Sequence, residues 1–156
     1  MNKNAGYIAK ASIVAALYAI LTLFTSAFGF SSGVIQFRLS EALCVLPAYM
    51  PAAVPGLFLG CLLANIVSGL SLWDIVIGSL ATLIGALGTY LLRKNKFLSI
   101  FPPILSNSIL VPLTLMFVYG IEKSYLVLFI SVFISEVISC GLLGQLVSKA
   151  YKKIQE

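Results

Sequence analysis

The chain has 156 residues, 60% of them apolar and 10% charged, with a mean hydropathy of +1.07, whereas an ordinary soluble domain carries about 25% charge. A soluble fold is excluded. The composition is that of an integral membrane protein with room for about six spans of roughly 20 residues, and the absence of short alternating segments excludes a transmembrane barrel.

The first predicted helix runs from Ile8 to Phe28. Its apolar run is too long for a signal peptide, and no cleavage pattern leads into a soluble mature domain. Gly29-Phe30-Ser31-Ser32-Gly33 then breaks the helix. The second helix covers Leu39 to Tyr49, with Pro47, Pro51 and Pro55 around its end. That is short for a span, so it must tilt or borrow length from the loop before it. The third covers Ala52 to Val67, followed by a turn at Ser68-Gly69-Leu70-Ser71. The fourth runs from Trp73 to Leu92, the fifth from Leu98 to Tyr119 and the sixth from Tyr125 to Val147. The whole chain, 1–156, reads as one all-α, six-helix membrane domain.

Charge sets the orientation, because loops on the cytoplasmic side collect Lys and Arg. Lys3 and Lys10 precede or open helix one. Arg93, Lys94 and Lys96 follow helix four, and Lys149, Lys152 and Lys153 follow helix six. Six spans put these clusters on one side, with both termini cytoplasmic. Dropping the short second helix would strand the middle cluster on the opposite face.

The remaining polar residues gather toward the outer half. Arg38 and Glu41 lie at the outer end of helix two, and Trp73 and Asp74 open helix four. Asn65 lies near the outer end of helix three, and Glu122 and Lys123 occupy an outer turn. Asn107 and Glu136 fall inside helices five and six, each roughly 18 Å from that turn, so they share a depth near the midplane. A carboxylate within Ile134-Ser135-Glu136-Val137-Ile138 is costly in lipid unless it is paired or used. Arg38 and Glu41, three residues apart, either pair with each other or share a ligand. Ser71-Leu72-Trp73-Asp74 matches a helix-capping pattern, and Trp73 also suits an interfacial anchor. This layout describes a pocket opening outward rather than a pore lined on both sides.

Cys44, Cys61 and Cys140 stand singly in apolar runs and histidine is absent, which argues against most metal chemistry and against a histidine base. No G-x-x-x-x-G-K-[ST] motif occurs to bind ATP. The expectation is a protein that is not an enzyme and carries no cofactor. Ala11, Ala15 and Ala19 recur every fourth residue and form a ridge of small side chains that lets another helix approach closely. Gly56 and Gly60 form a second such pair.

Taken together, Ile35-Gln36-Phe37-Arg38-Leu39-Ser40-Glu41-Ala42-Leu43, Gly60-Cys61-Leu62-Leu63-Ala64-Asn65, the stretch Asp74 to Leu83, and the Glu136 segment ending Cys140-Gly141-Leu142-Leu143-Gly144 resemble the substrate-binding S components of energy-coupling factor transporters. The chain is most similar to their queuosine-precursor group, QueT. Ser135 stands where that group would have glycine. The resemblance implies a six-helix binding subunit in the cell membrane of a prokaryote. It implies capture of a 7-deazaguanine, such as 7-aminomethyl-7-deazaguanine, from outside, and delivery with a transmembrane T subunit and two ATPase subunits. It further implies that Ala11, Ala15 and Ala19 dock the T subunit. Nucleic acid is not expected as a partner.

Such a cargo offers a ring N–H and an exocyclic amine that one carboxylate can accept together. Glu136, with Glu41 or Asp74, would supply carboxylates, Asn107 a partner for a carbonyl or ring nitrogen, and Trp73 or Phe37 a stacking face. Arg38 and Asn65 complete the candidate set. The loop Gly29 to Gln36 is expected to close over the bound solute as a glycine hinge. The rival reading is a stand-alone oligomeric transporter or channel for a small cation, which would need polar residues continuing to the inner face.

Overall fold

The structure is a computed structural model that describes residues 3–29 and 37–155. Apart from Gly29, the loop expected to gate the pocket lies outside the described residues. No strand occurs among them. Helix α1 spans Lys3–Ala27, a 3₁₀ segment Leu39–Ala48, α2 Ala53–Val67 and α3 Leu72–Leu91. A 3₁₀ turn at Leu98–Ile100 leads into α4, Phe101–Phe117. Helix α5, Tyr125–Glu136, continues through a π segment, Val137–Leu143, into α6, Gly144–Gln155. Among the described residues, four apolar stretches are long enough to cross a membrane: Asn4–Ala27, Leu72–Leu91, Leu98–Phe117 and Tyr125–Ile154. Leu39–Ala48 and Ala53–Val67 are the two shorter ones. The six-helix bundle is thus present, and the chain is a multi-pass membrane protein.

The second helix differs from expectation in kind. It is 3₁₀ rather than a tilted α-helix, and it ends at Ala48 with Pro47 inside it. A 3₁₀ helix rises about 2.0 Å per residue, so these ten residues reach about 20 Å where an α-helix would cover about 15 Å. Length is recovered by stretching. Every residue from Ser40 to Ala48 is buried, and the segment packs against α1, α3, the π segment and α6. It is the central post of the bundle.

The outer helices close on that post through small residues. A methyl group added at Gly56 would lie 2.7 Å from the Ala11 carbonyl oxygen, and one at Gly60 would lie 2.7 Å from that of Ala15. The alanine ridge of α1 therefore faces the glycine pair of α2 within this chain. Ala15 is buried, while Ala11 and Ala19 are partly covered. As a docking surface the ridge is already engaged at its centre.

Contacts at one end bring the three basic clusters together. The Tyr7 hydroxyl donates to Pro51 O at 3.5 Å, Lys96 Nζ donates to Ala48 O at 2.8 Å, and the Tyr49 and Tyr151 rings lie 5.7 Å apart. The start of α1, the turn after α3 and the end of α6 thus share one end of the bundle. That agrees with the even number of crossings inferred from charge.

Candidate functional site

Toward the opposite end lies a cavity of about 340 Å³, within the usual range for a small-molecule site. Arg38, Asn65, Asp74 and Tyr119 supply its most polar lining, and Thr22, Ser26, Ser68 and Thr114 add hydroxyls. Below it, a small void is lined by Arg38, Gly78 and Val111, which also line the larger cavity, together with Glu41, Asn107, Val132 and Glu136. Three shared residues make the void the floor of the cavity.

That floor is a polar knot. Asn107 Nδ2 donates to Glu41 Oε2 at 3.1 Å and to Glu136 Oε1 at 3.0 Å. One carboxamide thus spends both hydrogens on two carboxylates from different helices, and the depth shared by Asn107 and Glu136 is realised as a direct bond. Glu41 is also gripped from behind. The Tyr18 hydroxyl donates to its Oε1, and Cys44 Sγ donates to Oε2 at 3.1 Å. Cys44 follows Glu41 by three residues, so the 3₁₀ period sets the two side chains in line. Glu41, Asn107 and Glu136 are all buried.

Among the described residues, three buried oxygens of the cavity and its floor have no hydrogen-bond partner: Glu136 Oε2, Asn65 Oδ1 and the hydroxyl of Ser68. Leaving a buried acceptor bare costs about 1–3 kcal/mol, and more when it is charged. Asn65 is held by its amide nitrogen, which donates to Asp74 O at 3.4 Å, so its oxygen is the free end. Gly78 keeps this space open, because a methyl group there would stand 3.1 Å from Asn65 Nδ2. The site therefore offers acceptors, with one guanidinium, Arg38, at the junction of cavity and floor.

Asp74 serves two purposes. Ser71 Oγ accepts the Asp74 backbone N–H at 3.2 Å and caps α3, as the sequence pattern implied. The carboxylate also lines the cavity and accepts the Tyr119 hydroxyl. Burial first, and then that carboxylate, raises the Tyr119 phenol above its ordinary pKa.

The expected site residues thus divide. Glu41, Asn107, Glu136, Arg38, Asn65 and Asp74 converge on the cavity and its floor. Trp73 does not: it is 63% exposed and lines neither space, because a one-residue step on a helix turns the side chain by about 100°. Phe37 is half-buried and also lies outside both linings. Sequence reasoning missed Tyr18, Thr22, Ser26, Thr114 and Tyr119. A signal existed for the first three, since Tyr18, Thr22 and Ser26 recur at i, i+4 and i+8 on one face of α1. Thr114 likewise follows Asn107 by two turns.

Comparison with known proteins agrees with this architecture. A family model described as QueT transporter matches residues 8–153. A relative named queuosine precursor transporter QueT, from Lactococcus lactis subsp. cremoris (strain MG1363), is 36% identical over 99 residues. The match covers 62% of this chain and 57% of the relative, so it spans little more than half of that protein's length. No solved structure matches. By the extent of the family match, the chain belongs to the QueT transporter family.

Proposed function

We propose that this protein is the substrate-binding membrane subunit of an energy-coupling factor importer and captures a queuosine precursor of the 7-deazaguanine class from outside the cell. The observation that carries the reading is the knot at the cavity floor, where Asn107 bridges Glu41 and Glu136 while Glu136 Oε2 and Asn65 Oδ1 have no donor. A flat heterocycle with a ring N–H, an exocyclic amine and an aminomethyl cation brings donors to a site furnished with acceptors. Its donor edge pairs with Glu136, its cation lies near Asp74 or Glu41, and Asn65 or Asn107 accepts at the ring through its carboxamide oxygen. The relative's name, which specifies a queuosine precursor, supports the same substrate class.

In this reading the basic end faces the cytoplasm of a prokaryotic cell and the cavity opens outward, following the rule for Lys and Arg. A transmembrane T subunit and two ATPases supply the energy, as the resemblance implies. Docking through α1 then draws on Ala11 and Ala19, which keep partial exposure. The stand-alone channel is disfavoured by the packing. The cavity and a second one at the basic end share no lining residue, and the 3₁₀ segment between Glu41 and Val45 is buried.

Native mass spectrometry of detergent-purified protein tests the substrate class. A co-released 7-deazaguanine is expected, and added 7-aminomethyl-7-deazaguanine should bind one to one. Absence of binding at saturating concentration, with the protein folded, would overturn the assignment.

A further inference from the structure

At the basic end lies a second cavity of about 280 Å³, between the end of the 3₁₀ segment, the start of the α4 rod and α6. Its lining includes Lys96, Lys149 and Lys152, with Ser99, Gln145 and Ser148 as neutral hydrogen-bonding groups. None of the described acidic residues, Glu41, Asp74, Glu122 and Glu136, lines it. Two of its cations converge on one ring. Lys96 Nζ stands 3.9 Å from the Tyr49 ring centroid and Lys152 Nζ 6.0 Å from it. Lys96 also donates to Ala48 O at 2.8 Å, which uses one of its three hydrogens. Three cations lining one cavity with no described carboxylate among them leave positive charge that an anion would neutralise.

We propose that this cavity binds the phosphate of an anionic phospholipid headgroup. The positive end of the 98–117 helical rod adds to the attraction, since Phe97, Ser99 and Ile100 at its start line the cavity and a helix N-terminus favours negative charge. A lipid is the source rather than a soluble phosphate because the mouth is flanked by apolar side chains. Phe97 is 71% exposed, Leu98 46% and Leu146 60%, and these are the surfaces on which acyl chains lie. Basic pockets between membrane helices are suited to anionic headgroups, with each lysine near such a surface contributing roughly fivefold in affinity. The inference stands apart from the transported solute, since no residue is shared with the outward cavity.

The test is native mass spectrometry of the full chain in detergent, titrated with short-chain phosphatidylglycerol, phosphatidylcholine or inorganic phosphate. Phosphatidylglycerol should bind more tightly than phosphatidylcholine. Lys149→Gln with Lys152→Gln should weaken it by about 25-fold, at about fivefold per lysine. Lys94→Gln with Lys153→Gln removes the same charge from the same end without touching the cavity lining, and should leave the adduct unchanged. An equal loss in both double variants would reduce the effect to general surface charge and overturn the site. Equal binding of phosphatidylcholine, or inorganic phosphate that binds as tightly as the lipid, would overturn the headgroup assignment.

Discussion

Two helix seams in this bundle are built on opposite principles. Between α1 and α2, Ala11 and Ala15 meet Gly56 and Gly60 so closely that no methyl group fits at either glycine. Where the 3₁₀ segment meets α4 and α5, the contact is polar, and Glu41, Asn107 and Glu136 are joined by hydrogen bonds with one carboxylate oxygen unused. In lipid, close packing is the main source of helix association, so the first seam spends its sequence on stability. The second accepts a buried acceptor without a donor, a cost that a bound solute can offset. Rigidity in one seam lets the other remain incomplete without collapse.

The largest effect is expected in the dry seam. Gly60→Leu forces a side chain against the Ala15 carbonyl and Tyr18 Cβ, 2.7 and 2.8 Å from the new Cβ position. Overpacking costs about 1–3 kcal/mol or more, and here backbone must move. The prediction is loss of most folded protein in detergent, read by size-exclusion profile and thermal melting. Ala15→Leu should behave similarly, which separates this seam from partner docking. Ala19→Leu, at a partly covered position, should instead spare folding and weaken assembly with a T subunit. A stable Gly60→Leu variant with native melting would mean that the two helices are not in close contact.

In the polar seam the order of effects reverses, with binding hit harder than folding. Glu136→Gln keeps the shape and replaces one carboxyl oxygen with an amide N–H that faces the solute's own donors. A hydrogen bond to a charged group is worth about 1.5–3 kcal/mol, so affinity for a 7-deazaguanine should fall by about 10- to 100-fold in calorimetry. The melting temperature should change little. Asn107→Leu should weaken binding and also destabilise, because it leaves Glu41 Oε2 and Glu136 Oε1 without their shared donor. Unchanged affinity in Glu136→Gln would make the knot a purely structural clamp.

The contrast between the seams also explains what could be read from the sequence. The six segments were legible because apolar length and three basic clusters constrain one another. Asn107 and Glu136 were legible as a pair because counting residues from one turn places both at the same depth. Glu41 was marked only by its charge. Its bond to Asn107 spans 66 positions and depends on a 3₁₀ geometry that neither Pro47 nor the apolar pattern announces. Trp73 was misleading because aromatic character says nothing of which way a helix is turned. The alanine ridge meets Gly56 and Gly60 within the chain, a partner that small spacing on α1 could not name. Hydroxyls such as Thr22 escaped notice because a helical threonine can satisfy itself on the preceding turn, as Thr22 Oγ1 does on Tyr18 O at 2.9 Å. Its contact with Ser40 Oγ at 2.7 Å joins residues 18 positions apart.

The smallest predicted effect lies at the mouth of the polar seam. Tyr119 is 47% exposed, and its hydroxyl donates to the Asp74 carboxylate, so Tyr119→Phe removes one partly solvated hydrogen bond. Such a bond contributes about 1 kcal/mol or less, and the melting temperature should shift only slightly. The pH dependence is more telling. Burial and the Asp74 acceptor raise the Tyr119 pKa, which means that the folded state holds the phenolic proton more tightly than the unfolded chain does. Its contribution is therefore fully present below the unfolded value of about 10 and is lost as pH rises through the higher folded value. A difference titration of phenolate absorbance, wild type minus Tyr119→Phe, should show one tyrosine ionising above the ordinary range. Asp74→Asn should move that ionisation back toward it, since the charged acceptor is gone. If the difference titration shows an ordinary tyrosine in both backgrounds, Tyr119 and Asp74 do not hold the mouth together, and the polar seam ends at its floor.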